Sequence, residues 1–527
     1  MKGGAQANRR AVSRWVLIAL ALSAGPLVRL SAVVQCPDGS PPPCRAPAAR
    51  TTPAPPNSVA VLYFENLSRD TADAYLADGL TEQFIERLAQ IERLVVKSRN
   101  AVRRYRGTAP ASPAALGRAL GATYLVSGNV RRARNRLRVT VELERAASGV
   151  RLWGQHYDRA DVDLLAIEEE IARAVASAIA GRLLQREQAS LGYTPTRSPR
   201  AYDHLLRGNY HLAQRTPRAA TRAIAEYEAS ARIDSDFIEA HARVGYGYAL
   251  FLDWGWEFPG LSAESLYARG LAAARHALRV DSTVADGWMA LGYLRKVDDP
   301  RTYEGAKEAF KQAVALDPRS AEAWHQYGST LRELGDDSGA IAASLQALAL
   351  EPGRSITLHQ LASVSTNRRE FERALCWLDS ALAVDPGFSF GYVSRSRVHR
   401  LLGQLPAAKA DAETARRLAG DYRLPADAVL ASVKALLGDT VTAQTLTEHL
   451  LAEAAHPDYL TPFEAGFVGM AFLALGSQDQ ALTQLERARP RGASLWFVLQ
   501  WPEFDVLRPD PRFQRLVEES RPPDAPR

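Results

Sequence analysis

The chain has 527 residues, 46% hydrophobic and 24% charged, with a net charge of +6 and a pI near 9.2. At roughly 100–200 residues per domain it is too long for one core, and its composition is that of a folded, soluble protein. So small a positive excess excludes a nucleic-acid footprint, which would gather basic residues on one face.

Lys2, Arg9, Arg10 and Arg14 precede an uncharged apolar run over residues 15–28, and no acidic residue occurs before Asp38. A basic stretch followed by a short apolar one is the pattern of an export signal. The run is short for a membrane span of about 20 residues, although residues 30–34 could extend it beyond Arg29. Residues 1–34 therefore read as a signal peptide or an N-terminal membrane anchor. Either places the bulk of the chain in the periplasm. Cys36 and Cys44 flank a turn-rich loop and could pair in an oxidising compartment. Residues 35–57, rich in Pro, Ala, Arg and Thr, lack the apolar residues for a core and read as a Pro-rich spacer.

Residues 58–190 mix strand and helix signals. Ser58-Val-Ala-Val-Leu-Tyr-Phe64 is a compact apolar run that predicts a buried strand ended by Glu65 and Asn66. Helical spacing follows over 75–90, a short strand over 94–97 and a short helix over 111–120. Three period-2 runs, 123–132, 137–143 and 150–157, predict an antiparallel meander with one wet face. A helix is expected from Asp161 to about Gln185. The unit is expected to fold separately, with 186–200 as a cleavable linker. Four blocks stand in order: Ser58-Val-Ala-Val-Leu-Tyr-Phe-Glu-Asn-Leu-Ser, Tyr75-Leu-Ala-Asp-Gly-Leu-Thr-Glu, Val126-Ser-Gly-Asn-Val-Arg-Arg and Leu152-Trp-Gly-Gln-His-Tyr-Asp-Arg. They resemble the TolB amino-terminal-like domain. That resemblance implies a small α/β domain with a mixed sheet, of a kind found in bacteria between a signalling module and helical repeats.

From about 201 the chain repeats itself. Ala306, Ala340, Ala374 and Ala408 are each 34 apart, as are Ala313, Ala347, Ala381 and Ala415; Pro318, Pro352 and Pro386 keep the same step. Trp288 and Gly292, then Trp324 and Gly328, hold the early positions. A 34-residue helix–turn–helix period with aromatic, Gly, Ala, Ala and Pro in this order resembles the tetratricopeptide repeat. About eight such repeats fit 201–490. The fold expected is mainly α, a tetratricopeptide α-solenoid behind a small α/β domain. Residues 491–527 read as a C-terminal cap and tail.

Catalytic signatures are lacking: no GxxxxGK[ST], HExxH, GxSxG or GxGxxG occurs. No catalytic residue, cofactor or metal site is expected. Glu168, Glu169 and Glu170 read as a solvated helix face. Arg131, Arg132, Arg134, Arg136 and Arg138 read as the charged tip of a hairpin.

The resemblance to tetratricopeptide proteins implies a groove lined by the first helix of each repeat. By register, its lining is Asp286, Tyr293, Lys296, His325, Ser329, Arg332, His359, Ser363, Arg397 and Arg400. That surface is polar and basic, and would suit an acidic peptide or carboxylate. The expected function is a non-catalytic protein–protein interaction scaffold of the bacterial cell envelope, with a protein or peptide partner and no nucleic acid. The alternative is a sensory or regulatory subunit whose kinase, cyclase or transcription-factor output sits on another chain.

Overall fold

The computed structural model describes residues 54–525, apart from 104, 107–111, 135, 161–163, 215, 254–255, 421, 453–459 and 524. Residues 1–34, the spacer up to residue 53, Cys36, Cys44, Trp254 and the expected helix start at Asp161 lie outside the described residues.

A six-stranded mixed sheet leads the chain. Its strands are β1 (Ser58–Val61), β2 (Glu65–Asn66), β3 (Val95–Val96), β4 (Tyr124–Ala133), β5 (Arg136–Arg145) and β6 (Val150–Ala160). The order is β3-β1-β4-β5-β6, with β2 pairing β4 off this path. β1 runs parallel to β3 and β4, whereas β4, β5 and β6 form the antiparallel meander. Alternation in β5 separates buried Leu137, Val139, Val141 and Leu143 from outward polar residues. Glu65 and Asn66 do not end the first strand but form β2, because Phe64 turns inward between them and β1.

Helices α1 (Ala74–Ala89), α2 (Arg99–Arg103), α3 (Pro113–Leu120), α4 (Leu164–Ala180) and α5 (Gln185–Leu191) accompany the sheet. The helix expected to reach Gln185 stops at Ala180, because Gly181 takes a left-handed φ of 73°. Residues expected to be a loose linker instead form α5. Its Leu191 is fully buried, and Glu187 accepts two hydrogen bonds from Arg93 at 2.9 and 2.6 Å.

The rest of the chain is helical. Eight antiparallel pairs follow one another: α6 (Pro199–Leu212) with α7 (Pro217–Ile233), α8 (Ile238–Asp253) with α9 (Ala263–Val280), α10 (Ala285–Asp298) with α11 (Glu304–Leu316), and α12 (Ala321–Glu333) with α13 (Asp337–Leu350). Then come α14 (Ser355–Asn367) with α15 (Phe371–Val384), α16 (Ser389–Leu401) with α17 (Leu405–Leu418), α18 (Leu424–Leu436) with α19 (Thr440–Ala452), and α20 (Pro462–Ala474) with α21 (Gln478–Glu486). The eight alanines of the 34-residue step are all fully buried. A methyl group at the crossing lets two helices approach closely, whereas a larger side chain would overfill it. Asp317, Glu351 and Asp385 cap the second helices, each donating its backbone N–H to the carbonyl four residues earlier, and the next residue is Pro. Proline cannot continue a helix, so each pair ends in register.

The α/β unit is not packed separately. One hydrophobic cluster runs from Val59 in β1 through Leu80 and Phe84 in α1 to Tyr202, Leu206 and Tyr227 in the first helix pair, and on to Leu266. Glu168 belongs to this junction. It is fully buried rather than solvated, accepting a 2.7 Å hydrogen bond from Tyr202 and facing Arg87 at 3.7 Å. Position on a helix could not reveal this, because the helix pair that covers α4 lies later in the chain.

The chain ends with α22 (Ala493–Leu499), a 3-10 turn (Pro502–Leu507) and α23 (Pro511–Ser520). α23 lies on α21, held by Arg512 to Glu486 at 2.6 Å.

Candidate peptide-binding groove

The first helices α10, α12, α14 and α16 are joined by polar contacts across their inner positions. Tyr293 donates to Glu322 at 2.9 Å and Lys296 to Glu333 at 3.3 Å, linking α10 to α12. His325 bonds Thr357 at 3.1 Å and Arg332 donates to Ser363 at 3.3 Å, linking α12 to α14. His359 bonds Ser394 at 2.8 Å, linking α14 to α16. Ser329 donates to Glu333 at 3.4 Å within α12. These contacts, with those of Arg397 and Arg400 to Glu503, bring nine of the ten residues together; Asp286, one heptad before Tyr293 on the same side of α10, sits exposed at its first turn.

The ten residues do not line an open groove. Asp286 alone among the ten is exposed; His325, His359 and Arg397 are buried. What covers the face is the end of the chain itself. Ala493 donates its N–H to the Pro300 carbonyl at 2.8 Å, beside the start of α11. Ser494 bonds Tyr303 at 2.6 Å and donates to Glu333 at 3.0 Å. The Phe497 ring lies 4.5 Å from the Arg332 guanidinium. Arg369 donates to the Gln500 carbonyl at 3.2 Å. Arg397 then donates twice to Glu503, at 2.9 and 3.0 Å, and Arg400 reaches the same carboxylate at 2.9 Å. The segment therefore passes α11, α12, α14 and α16 in turn before reaching α20.

Burial on this path is deep. Leu495, Val498, Leu499 and Phe504 have no exposed surface, and Phe497, Trp501 and Leu507 are nearly as enclosed. Trp501 packs edge-on against Phe467 at 5.2 Å. Gly466 in α20 makes room, since a Cβ there would stand 2.6 Å from Val498 and 2.8 Å from Trp501.

The charges of the face follow from this cover. Burial raises the pKa of Glu503, but Arg397 and Arg400 outweigh it and hold the carboxyl down to about 2. Glu333 is likewise held low by Lys296 and Arg332 against its burial. Burial pushes His325 and His359 down to about 3, helped by Arg354 on the first and by Arg332 and Arg397 on the second. Both imidazoles are neutral near pH 7, so the positive charge of the face comes from Lys296 and the guanidiniums. Arg332 Nε and Arg400 Nε are buried without a hydrogen-bond partner among the described residues.

Sequence reading missed Tyr303, Glu333, Ser494, Phe497, Trp501 and Glu503. The signal available was the apolar density of Leu495-Trp-Phe-Val-Leu499 followed by Trp501 and Phe504, more than one helix end needs for a cap. Of the five arginines read as a hairpin tip, Arg136 and Arg138 pair with Asp158, whereas Arg132 is partly buried and reaches Asp73 and Asp203, each at 3.4 Å, at the junction with α6. Among the described residues, no group of three His, Cys, Asp or Glu side chains is placed to hold a metal ion, and no helix is long and apolar enough to cross a membrane.

Residues 309–342 match the tetratricopeptide repeat family model, from within α11 through α12 to the first turns of α13. A protein of Rhizobium meliloti (strain 1021), provisionally named adenylate cyclase 3, is 30% identical over 251 residues, 47% of this chain and 42% of that protein. The chain thus spans less than half the length of that curated relative. Among solved structures, PilW, described as a type IV pilus biogenesis factor, is 22% identical, with a TM-score of 0.33, over 40% of this chain and 93% of its own. YrrB, described as a tetratricopeptide-repeat protein with an unusual peptide-binding site, is 18% identical, with a TM-score of 0.26, over 38% of this chain and 95% of its own.

Proposed function

We propose that this chain is a protein-interaction scaffold of the bacterial cell envelope, built to hold an extended peptide segment along the inner face of its repeats. The observation that carries this reading is the inner face itself. Four first helices present interlocked polar and guanidinium groups in register, and a peptide segment with aromatic and acidic side chains already fits them. Helical repeats of this kind stack pairwise into extended binding surfaces. The α/β unit, on its four sequence blocks, is proposed to be TolB-like and to fix the orientation of the first pair through Glu168, Arg87 and Tyr202. The N-terminal basic and apolar segment is proposed to export the chain, leaving the repeats in the periplasm. A fusion of alkaline phosphatase after Asn57 should then be active, and an inactive fusion would overturn the location. Crosslinking and affinity capture from envelope fractions should return a specific protein partner; capture no different from that of an unrelated protein would overturn the scaffold reading.

A second reading rests on one comparison. The stretch shared with the protein named adenylate cyclase 3 supports a regulatory subunit whose output module lies on another chain. Capture of a cyclase, kinase or transcription factor as the partner would favour it.

A further inference from the structure

The inner face of α12, α14 and α16, with Pro300 and Tyr303 just before α11, is filled by a segment whose recognition rests mainly on side chains. Its strongest anchor is a carboxylate flanked by aromatic rings: Glu503 between Trp501 and Phe504, received by two guanidiniums. Arg397 contributes a planar two-bond grip on Glu503 and lies 3.8 Å from the Trp501 ring centroid. A second anchor is Phe497 against Arg332. Two buried donors of this face, Arg332 Nε and Arg400 Nε, are left unused by the segment. A buried guanidinium with unspent donors favours a ligand that brings another acceptor. The segment enters through one tight point: a Cβ on Gly492 would stand 2.1 Å from the Pro300 carbonyl oxygen.

We infer that residues 493–507 are a resident, exchangeable occupant of this face, and that the partner is a peptide segment of the same chemistry, an acidic residue set between aromatic rings, which binds by displacing them. The inference rests on the scaffold function proposed above and specifies its partner and its control. Tethering gives the resident segment a high effective concentration, so an outside peptide is held off until it offers better contacts or the tether is weakened. The affinity seen from outside is then reduced by the fraction of time the face is free.

The test uses the full chain and a fluorescein-labelled synthetic peptide with the sequence of residues 492–507, read by anisotropy. Gly492→Val, which disturbs entry without touching the inner face, and Trp501→Ala, which weakens the anchor, should each bind the peptide at least tenfold more tightly than the parent chain. A peptide with Lys in place of its Glu should bind neither. Equal, weak binding by the parent and by both variants, with native helical content retained, would overturn the inference. Should a variant fail to fold, the parent chain decides. A saturating excess of peptide should speed hydrogen exchange of residues 493–499, and unchanged exchange means the segment is a fixed part of the core. The scaffold reading fails separately: a partner captured equally by parent and Gly492→Val chains, and not competed by the peptide, removes this inference while leaving the scaffold in place.

Discussion

Arg397 holds Glu503 through two parallel hydrogen bonds, 2.9 and 3.0 Å long, while its guanidinium lies 3.8 Å from the Trp501 ring centroid. One side chain of the sixth helix pair thus holds both a carboxylate and a tryptophan ring of a segment more than 100 residues later.

This relationship carries a pH dependence. Glu503 is held down to about 2 in the folded chain, against about 4.3 for a free glutamate. A depressed carboxylate contributes stability that is fully present above its unfolded pKa. That contribution is lost as pH falls from about 4.3 toward 2. Trp501 fluorescence should report release of the segment in this window in the parent chain. In Glu503→Gln the transition should be shallower, and an equally steep one would contradict the assignment.

Glu168 has the opposite sign. Burial lifts its pKa to about 7, against the opposing pull of Arg87 and Tyr202. Between about pH 4.3 and 7 the folded chain keeps a proton that the unfolded chain has released, so stability falls as pH rises through that window. Glu168→Gln removes the ionisation and keeps an acceptor for Tyr202. Denaturant titrations should show a flatter pH profile for the variant than for the parent across this window. A parallel profile would mean that Glu168 is not the titrating group at the junction.

The repeats make a steric prediction. A Cβ on Gly292 would stand 2.6 Å from the Phe310 ring, which has no exposed surface to move into. Gly→Ala in a helix interior ordinarily gains about 0.5–1 kcal/mol. Here overpacking of about 1–3 kcal/mol wins, and Gly292→Ala should lower the melting temperature. Gly305→Ala, which meets only the flexible Arg295 chain at 3.3 Å, should leave it unchanged or raise it. The same response from both would show that the close approach of α10 and α11 does not govern the effect.

The fold was largely legible because its determinants are local and periodic. The buried alanines and the acid–proline ends recur every 34 residues, and the β4–β6 meander alternates with period two. The register also placed Arg332, Arg397 and Arg400 on one face. What it could not supply was the cover. Whether that face meets water depends on a contact between Arg397 and Glu503, 106 residues apart, and no periodicity reports such a contact. For the same reason, changing Arg332, Arg397 and Arg400 to Glu acts on buried contacts rather than on a free surface. It would bury like charges around Glu503 and Glu333, and the melting temperature should fall sharply. Glu168 was misread on the same ground, since three adjacent glutamates on one helix do not show that a later helix pair covers the first of them.

A double-mutant cycle between Arg397 and Glu503 in the full chain reports whether the C-terminal segment lies on the inner face of the repeats. Removing Glu503 strands Arg397 and Arg400 in a buried place, at a cost of about 3–5 kcal/mol, whereas removing Arg397 leaves Glu503 with Arg400 alone, at 2.9 Å. Arg397→Met and Glu503→Leu together should cost far less than the sum of the single changes. The coupling energy should exceed about 1.5 kcal/mol. Additivity within about 0.3–0.5 kcal/mol, the behaviour of distant and independent sites, would show that the C-terminal segment does not lie on the inner face of the repeats.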